Sequence, residues 1–522
     1  MTRVRGPYRH LPVLSAVAVL VGLTPSVIAQ VPPDGCPAPR VDDTCEAWSA
    51  AYDEVGPSSF STLWLRPHVA AGRDRVFATG QFRRPQDGLD PFVTVAYDQA
   101  TGAELWVARR QRDPDAEAYA NDIALAPDED VLFAAGSETL GVHPNRTTTA
   151  LLVAYDAATG AELWEATYDE GPGGEAFSAV AVSLDGATVY TAGAAGSPAH
   201  VVVAAYDATT GAPRWVDTHG GSAGQSAGAR DLAVAPDGTR VFVTSVEGLS
   251  YYPAYRGDIL TLAYDDDDDP GTLLWTARYA GPSGKLDEPA GMAVGPDGGL
   301  VFVTGTRDQD GELNTAPEDF VTVAYDTRTG AETWISPFDG PGAGFDRAES
   351  MAVSPTGDRL YVTGVTTVHK ADGPLARASV QLAMATVAYD AATGGQNWAS
   401  FAGTPADVHA WGRDVTVSPD GTHIYTTGQG SRFQAFSGMG NATIFDTPID
   451  FVTVAHDAGG TQRWVARFNS RTAGLAPERA GGIAVRPDGG RVFVVGYLGD
   501  PTWGPNRKDQ EAALGTVAYD TG

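Results

Sequence analysis

Apolar residues in this chain come in short runs of four to eight, rich in Val, Phe, Tyr and Thr and bounded by Gly, Pro and Asp. That pattern predicts short antiparallel strands. One stretch reads Gly291-Met-Ala-Val-Gly-Pro-Asp-Gly, then Leu300-Val-Phe-Val-Thr-Gly, then Phe320-Val-Thr-Val-Ala-Tyr-Asp, then the segment around Trp334, which makes four strands. Pro-Asp-Gly recurs at Pro236, Pro296, Pro419 and Pro487. Proline presets φ and glycine accepts a positive φ, so this tripeptide predicts the turn between the first two strands. Asp-x-x-Thr-Gly predicts the turn between the third and fourth. In the first strand small residues alternate with larger ones, as Ala124 does with Ile123 and Leu125, and Ala293 with Met292 and Val294. So narrow a face belongs where packed sheets have least room, at an axis, and leaves the tryptophan strand at the rim.

The four-strand unit repeats. Tryptophan returns at Trp48, Trp106, Trp164, Trp215, Trp275, Trp334, Trp398 and Trp464, with gaps from 51 (Trp164 to Trp215) to 66 residues (Trp398 to Trp464). In five units it closes the phrase Ala-Tyr-Asp-x-x-Thr-Gly-x-x-x-Trp, beginning at Ala96, Ala154, Ala205, Ala324 and Ala388. Four short strands at this period predict propeller blades. Trp48 lies on an outer strand with no blade of its own, and the sequence ends at Tyr519-Asp520-Thr521-Gly522, where an outer strand is due. The expectation is an all-β, eight-bladed β-propeller over residues 48–522, its ring closed by the N-terminal strand completing the last blade. Length alone would suggest about three domains of roughly 150 residues. The uninterrupted repeat overrides that and predicts one.

Arg3, Arg5 and Arg9 precede an apolar run from Leu11 to Leu23, and Val27-Ile28-Ala29 offers small residues for cleavage after Ala29. Residues 1–29 read as a secretory signal peptide, which makes the mature protein secreted or periplasmic. The run falls short of the ~20 residues needed to span a bilayer, so no membrane insertion is expected. Cys36 is misplaced for a lipoprotein cleavage site. Cys36 and Cys45 are the only cysteines, and export predicts a local disulfide between them within residues 30–47. The formal charge is −30, and losing the three signal arginines makes it −30 − 3 = −33. Such acidity disfavours nucleic acid as a partner and keeps an exported protein soluble.

The phrase ending in tryptophan resembles the tryptophan-docking motif of the quinoprotein alcohol dehydrogenase-like superfamily. These eight-bladed propellers include pyrroloquinoline quinone (PQQ) enzymes and an outer-membrane assembly scaffold lipoprotein. The rest of the unit resembles the SBBP bacterial propeller repeat: an aromatic, Gly-Pro or Gly-x-Gly, an acid, Ala-Val-x-Pro-Asp-Gly, a Val-Phe-Val-Thr-Gly strand, and Asp-Phe before the third strand. Tyr279 to Asp326 carries nearly all of it. Two units depart: Asp265 to Asp269 lengthens one turn by two residues, and the unit at Ala455 has His456 for tyrosine and the short turn Gly459-Gly460. The resemblance implies that the eight tryptophans are structural, each filling the gap between blades. Burying one contributes on the order of 3 kcal/mol.

A PQQ enzyme of that superfamily needs calcium held by acid and amide side chains, an aspartate base and, usually, a vicinal Cys-Cys disulfide. Cys36 and Cys45 are neither adjacent nor within the repeats. No cofactor is therefore expected, and no catalytic residue is assigned. No nucleophile elbow, His-Glu-x-x-His or paired-cysteine zinc pattern is present. A hydrolase with a site dispersed over several blades remains the other enzymatic alternative, beside a PQQ-dependent oxidoreductase. Structural calcium at Asp265, Asp267 and Asp269 is weighed against a solvated acidic turn, since the run lacks an EF-hand pattern.

Turns one-to-two and three-to-four are short and uniform, so the variable connections fall on the other face, where function is expected. Trp64, Trp411 and Trp503 lie outside the docking position, and the long segments Val365 to Ala383 and Gln429 to Asp450 bring Phe433 and Phe436. His68, His409 and Arg413 are placed near the same channel mouth. Together these predict aromatic platforms for a protein or carbohydrate ligand, unless the loops merely fold over their own small cores. Arg66, Asp122, Asp231 and Asp414 are read as equivalent positions where inner strands enter from that face. The functional expectation is a non-catalytic binding or scaffold module.

Overall fold

The computed structural model describes residues 46–52, 67–81, 92–110, 117–141, 146–171, 173–220, 226–250, 256–308, 318–342, 344–370, 380–402, 409–431, 449–469, 478–499 and 512–521. Every regular element among them is a β-strand, from β1 (Glu46–Tyr52) to β32 (Ala512–Asp520). No helix there is long and apolar enough to cross a membrane. The strands form four-stranded antiparallel units in a propeller arrangement. Six units stand as separate sheets, and two more join through a single parallel bridge, Leu382 to His409.

The first strands pack on one another in chain order: β2 (His68–Ala71), β6 (Glu117–Leu125), β10 (Ala176–Val182), β14 (Ser226–Val234), β18 (Glu288–Val294), β22 (Arg347–Val353), β26 (His409–Val417) and β30 (Arg479–Val485), with β30 packing back on β2. The small faces expected of these strands make that approach sterically feasible. β1 pairs antiparallel with β32, setting Trp48 opposite Ala518 and completing the sheet that holds β30. The first and last described strands thus share one ladder.

Turn chemistry follows the sequence closely. Asp98 Oδ1 accepts the Thr101 backbone N–H at 2.8 Å and its hydroxyl at 2.7 Å, and the same pair of bonds recurs at Asp156 with Thr159 and at Asp326 with Thr329. These bonds hold the carboxyls below their ordinary range. The glycine ending each such turn lies under the tryptophan of the preceding sheet. A Cβ on Gly160 would sit 2.5 Å from Trp106, and one on Gly330 2.6 Å from Trp275. The indole N–H then reaches a backbone carbonyl of that neighbouring sheet, Trp48 to Gln99 at 2.8 Å and Trp106 to Ala157 at 3.1 Å, with the same bond at Trp164, Trp275, Trp334 and Trp398. Each of these tryptophans joins one sheet to the next by a ring contact and a directed bond.

Strand extension corrects the loop boundaries. β23 (Arg359–Lys370) and β24 (Val380–Asp390) continue into what the sequence reading gives to a loop, so Val365 to Lys370 and Val380 to Ala383 are strand. β27 (His423–Ser431) and β28 (Ile449–Asp457) similarly shorten the second connection to 432–448. The β-branched residues Val365, Thr366, Thr367 and Val368 favour continued pairing.

Candidate functional site

The inner strands of seven units carry a register shift near their start, as between Ala120 and Asp122, Ala229 and Asp231, and Gly412 and Asp414. A bulge gives one strand an extra residue and re-aims its side chains. Counted from the bulges, one register row reads His68, Asp122, Ala179, Asp231, Gly291, Ser350, Asp414 and Gly482. Asp122, Asp231 and Asp414 are equivalent, as expected. The fourth expected member is not: His68 pairs with Thr79 and takes the place assigned to Arg66. The cause is the first turn, where Ala70 pairs Phe77 but its equivalent Ala124 pairs Phe133, two residues further along. Arg66 itself lies outside the described residues.

The three aspartates clasp neighbouring sheets. Each accepts the N–H of its own successor through Oδ1, and through Oδ2 an N–H of the next sheet: Asp122 from Val180 at 2.9 Å, Asp231 from Met292 at 2.8 Å and Asp414 from Ile483 at 2.9 Å. In every case the row position facing the clasp is small, Ala179, Gly291 or Gly482. Ser350 donates to Asp414 at 2.7 Å, and His68 Nδ1 lies 3.3 Å from Asp122. Enclosure by protein raises Asp231 to about 7, aided by the nearby Asp122 charge and opposed by the two N–H bonds and His68. Burial raises Asp414 as well.

Two tiers nearer the variable face differ in character. The position three residues before the aspartate row holds Glu288, Arg347, Trp411 and Arg479 in four consecutive units. Trp411 is therefore inside β26 rather than ahead of it. It is half-buried, packs edge-on to Phe345 at 5.8 Å and donates its N–H to Glu349 at 2.9 Å. Arg413 lies over the Trp411 ring, 4.9 Å from its centroid, with Nη1 3.4 Å from Glu349. Arg347 also reaches Glu349, at 3.6 Å, and Glu288 at 3.2 Å. His409 is half-buried at the parallel bridge, and burial lowers its pKa. Of the expected ligand-binding group, Trp411 and Arg413 come together. Trp64, Phe433, Phe436 and Trp503 lie outside the described residues, as do Cys36, Cys45 and the signal segment.

Within the acidic run Asp266, outside the trio weighed for calcium, accepts the Trp215 indole N–H at 2.8 Å and the Tyr190 hydroxyl, in place of the backbone carbonyl that serves the six tryptophans above. Asp265 accepts the Asp267 backbone N–H at 3.0 Å, and the Asp269 carbonyl closes the turn to Thr272. Among the described residues Asp319, Asp339 and Asp346 bring three potential metal-ligand atoms within 4.8 Å of one another. Asp346 there accepts the N–H groups of Gly340 and Thr367 and the Thr366 hydroxyl, and Asp319 pairs with Arg307 at 2.7 Å. These bonds tie a loop to its sheet.

Sequence reasoning missed Arg347, Glu349, Ser350 and Arg479. The available signal was distance from the end of the inner strand, since Arg347 and Arg479 each stand six residues before Val353 and Val485.

Residues 47–248 match the model of the PQQ_2 family, described as outer membrane protein assembly factor BamB. No curated protein matches the chain. Similar solved structures include BamB from Moraxella catarrhalis, at 13% identity over 90% of this chain and 97% of that one, with a TM-score of 0.42. The quinohemoprotein alcohol dehydrogenase of Comamonas testosteroni matches at 14% identity over 89% and 76%, with a TM-score of 0.45. The Dos1 propeller matches at 9% identity over 90% and 96%, with a TM-score of 0.47. Over residues 47–248 the chain is thus similar to that PQQ-like family, and the match falls on four-stranded antiparallel units with interlocked tryptophans.

Proposed function

We propose that this protein is an exported, non-catalytic binding module, an eight-bladed propeller closed by β1, that engages a protein partner through its variable face. Closure is supported by the β1 to β32 ladder and by the return of β30 onto β2. The export signal in residues 1–29 and the Cys36 to Cys45 disulfide belong to the same reading, as does a single domain over 48–522. The observation that carries it is the contrast between faces. On one face the Pro-Asp-Gly and Asp-x-x-Thr-Gly turns repeat with the same positive-φ glycines, as at Gly238 (73°), Gly298 (70°) and Gly421 (70°). On the other, the connection between second and third strands varies from four residues (196–199) in one unit to seventeen (432–448) in another. Selection for one structure repeated eight times explains the first face; a surface free to diversify explains the second. The match to an assembly-factor family favours a protein over a carbohydrate as the ligand.

The quinone alternative needs a calcium cage and a free carboxylate base. The axial aspartates do not fit that demand, because their oxygens already accept N–H or hydroxyl hydrogens from the chain. Nor are any three of the row's imidazole and carboxylate ligands within 4.8 Å of one another. Photo-crosslinkers test the binding face directly. Placed at Glu117 and Glu288 on the variable face, and at Asp297 and Asp420 in the opposite turns, they should capture a partner in the producing cells only from the first pair. Capture from the turns alone would refute the assignment.

A further inference from the structure

Seven units place a tyrosine under the tryptophan of the unit before, at Tyr97, Tyr155, Tyr206, Tyr264, Tyr325, Tyr389 and Tyr519, and the unit of β26 to β28 places His456 there. The indole meets that ring in either case, Trp48 with Tyr97 at 6.1 Å, Trp464 with Tyr519 at 5.9 Å and Trp398 with His456 at 5.6 Å. The reach of the ring differs. Tyr97, Tyr325, Tyr389 and Tyr519 bring their hydroxyls beside Thr516, Thr261, Thr322 and Thr453, each on the third strand of the preceding unit. Thr386 holds that place before His456, but it bonds to Thr426 at 3.1 Å. The shorter imidazole turns to β25 (Gln396–Ala402), where Nε2 lies 2.9 Å from the Ser400 hydroxyl.

His456 is fully buried, and its Nδ1 has no hydrogen-bond partner. The groups packed on it are uncharged: Trp398 and Ser400 of β25, Ile424 opposite it on β27 and Gln462 opposite it on β29 (Gln462–Phe468), with the Tyr361, Ala388 and Val415 core around Trp398 beyond them. The ionisable groups close by are Asp457, Arg463, Arg359 and His423. Asp457 accepts from Arg463 at 2.6 Å and from the Gly459 and Thr461 N–H groups, Arg359 donates to the Ala458 carbonyl, and His423 stands opposite Asp457. Burial lowers His456 to about 4, opposed by the Asp457 charge. In either neutral tautomer one nitrogen meets Ser400. A further proton leaves an N–H at Nδ1 with no acceptor and a charge with no water, and attraction to the indole face is too weak to offset that. The imidazolium is relieved by leaving the core. Trp398 is tied to the same segment, since its N–H is bonded 3.1 Å from the Ala458 carbonyl, two residues along.

We propose that His456 makes the joint between these two units acid-sensitive: protonation expels the imidazole, frees Trp398 and loosens the unit that carries Trp411. The seven tyrosines take up no proton in acid, so the equivalent joints lack this response. The proposal stands whatever the variable face binds. A closed joint keeps the imidazole neutral down to about pH 4, whereas an open one binds a proton below the ordinary 6.5. The contribution is therefore whole above about pH 6.5 and is lost as pH falls toward 4.

Hydrogen exchange of the exported chain, followed by mass spectrometry at pH 7 and pH 4.5 and corrected for the intrinsic pH dependence of exchange, tests this. Amides of β25 and of residues 456–462 should lose protection roughly fiftyfold between the two conditions, and those flanking Trp464 and Tyr519 far less. His456→Tyr restores the repeated residue and should reduce the loss to within about threefold. His456→Phe, equally unable to titrate, should do the same and serves where tyrosine does not fit beside the short turn. Equal losses at the two joints, or a loss at 456–462 that persists in a folded variant, would overturn the proposal and assign the acid response to carboxylates. If neither variant folds, the comparison of the two joints in the wild type decides.

Discussion

Gly330 and Gly238 both adopt left-handed backbone, with φ of 69° and 73°, but only one of them has a tryptophan overhead. A Cβ at Gly238 would meet nothing within 4 Å, whereas one at Gly330 would lie 2.6 Å from Trp275 Cδ2 and Cε3. Gly238→Ala should therefore cost only the conformational penalty of an L-residue at positive φ, about 1 kcal/mol. Gly330→Ala pays that penalty and must also push the indole outward by most of an ångström. The ring cannot move freely, because its N–H is held 3.0 Å from the Thr327 carbonyl. Overpacking of this kind costs about 1 to 3 kcal/mol and loss of the hydrogen bond about 1 more. Gly330→Ala should thus exceed Gly238→Ala by roughly 2 to 4 kcal/mol in urea unfolding followed by circular dichroism. A double-mutant cycle with Trp275→Ala isolates the contact, since the excess should vanish once the ring is gone. If the two glycine variants unfold at the same urea concentration, the tryptophans do not lock the sheets.

The remaining predictions address the acids and the cofactor. Asp266→Ala should destabilise by about 1 to 3 kcal/mol by removing the acceptor for Trp215 and Tyr190, and calcium should not change the melting temperature of the wild type; a calcium-dependent rise abolished by Asp265→Asn/Asp267→Asn would establish the metal reading. Asp231 is raised to about 7 in the folded protein, above the ~3.9 of an unfolded chain. The folded state then keeps a proton that the unfolded state has lost, so this contribution is complete below about pH 4 and disappears as pH climbs through 7. The urea midpoint of the wild type relative to Asp231→Asn should accordingly fall between those limits, and a constant difference would show that the carboxyl titrates normally. PQQ with calcium should leave thermal unfolding unchanged, whereas a ligand at a hundredfold over its dissociation constant would add ~2.7 kcal/mol.

Local rules made the blades legible. Strand, turn and docking residues act within one unit or across one junction, so a repeated phrase such as Ala-Tyr-Asp-x-x-Thr-Gly-x-x-x-Trp carries the whole instruction. The register of the inner strands was less accessible. It depends on turn length, and the first turn, two residues shorter than its equivalents, moved His68 into the row where Arg66 was expected. Asp266 was hidden for a similar reason: within a run of five acids nothing local marks the one carboxylate that takes the place of a backbone carbonyl beneath Trp215. The group around Glu349 was least legible, because Arg347 and Arg413 come from different units and meet only through that carboxylate. Neither lies in a repeated motif.

Clasping also bears on where chemistry is available. An aspartate at an inner strand can turn toward the channel as a base or ligand, or sideways to the next sheet. Turning sideways requires that the neighbour present no side chain in the way, and each clasp meets that requirement: Asp122 faces Ala179, Asp231 faces Gly291 and Asp414 faces Gly482. The missing Cβ of Gly291 would stand 3.7 Å from Asp231 Oδ2, an ordinary contact distance, with Met351 equally near on the far side. A carboxylate whose oxygens accept backbone hydrogens is protonated less readily than burial alone would impose, yet it has fewer lone pairs to offer a metal or substrate. The axial row is therefore committed to holding sheets together. Replacing Gly291 by Val tests the clasp: it should obstruct the bond from Met292 to Asp231 and lower the urea midpoint, and an unchanged midpoint would show that the clasp does not hold the sheets together.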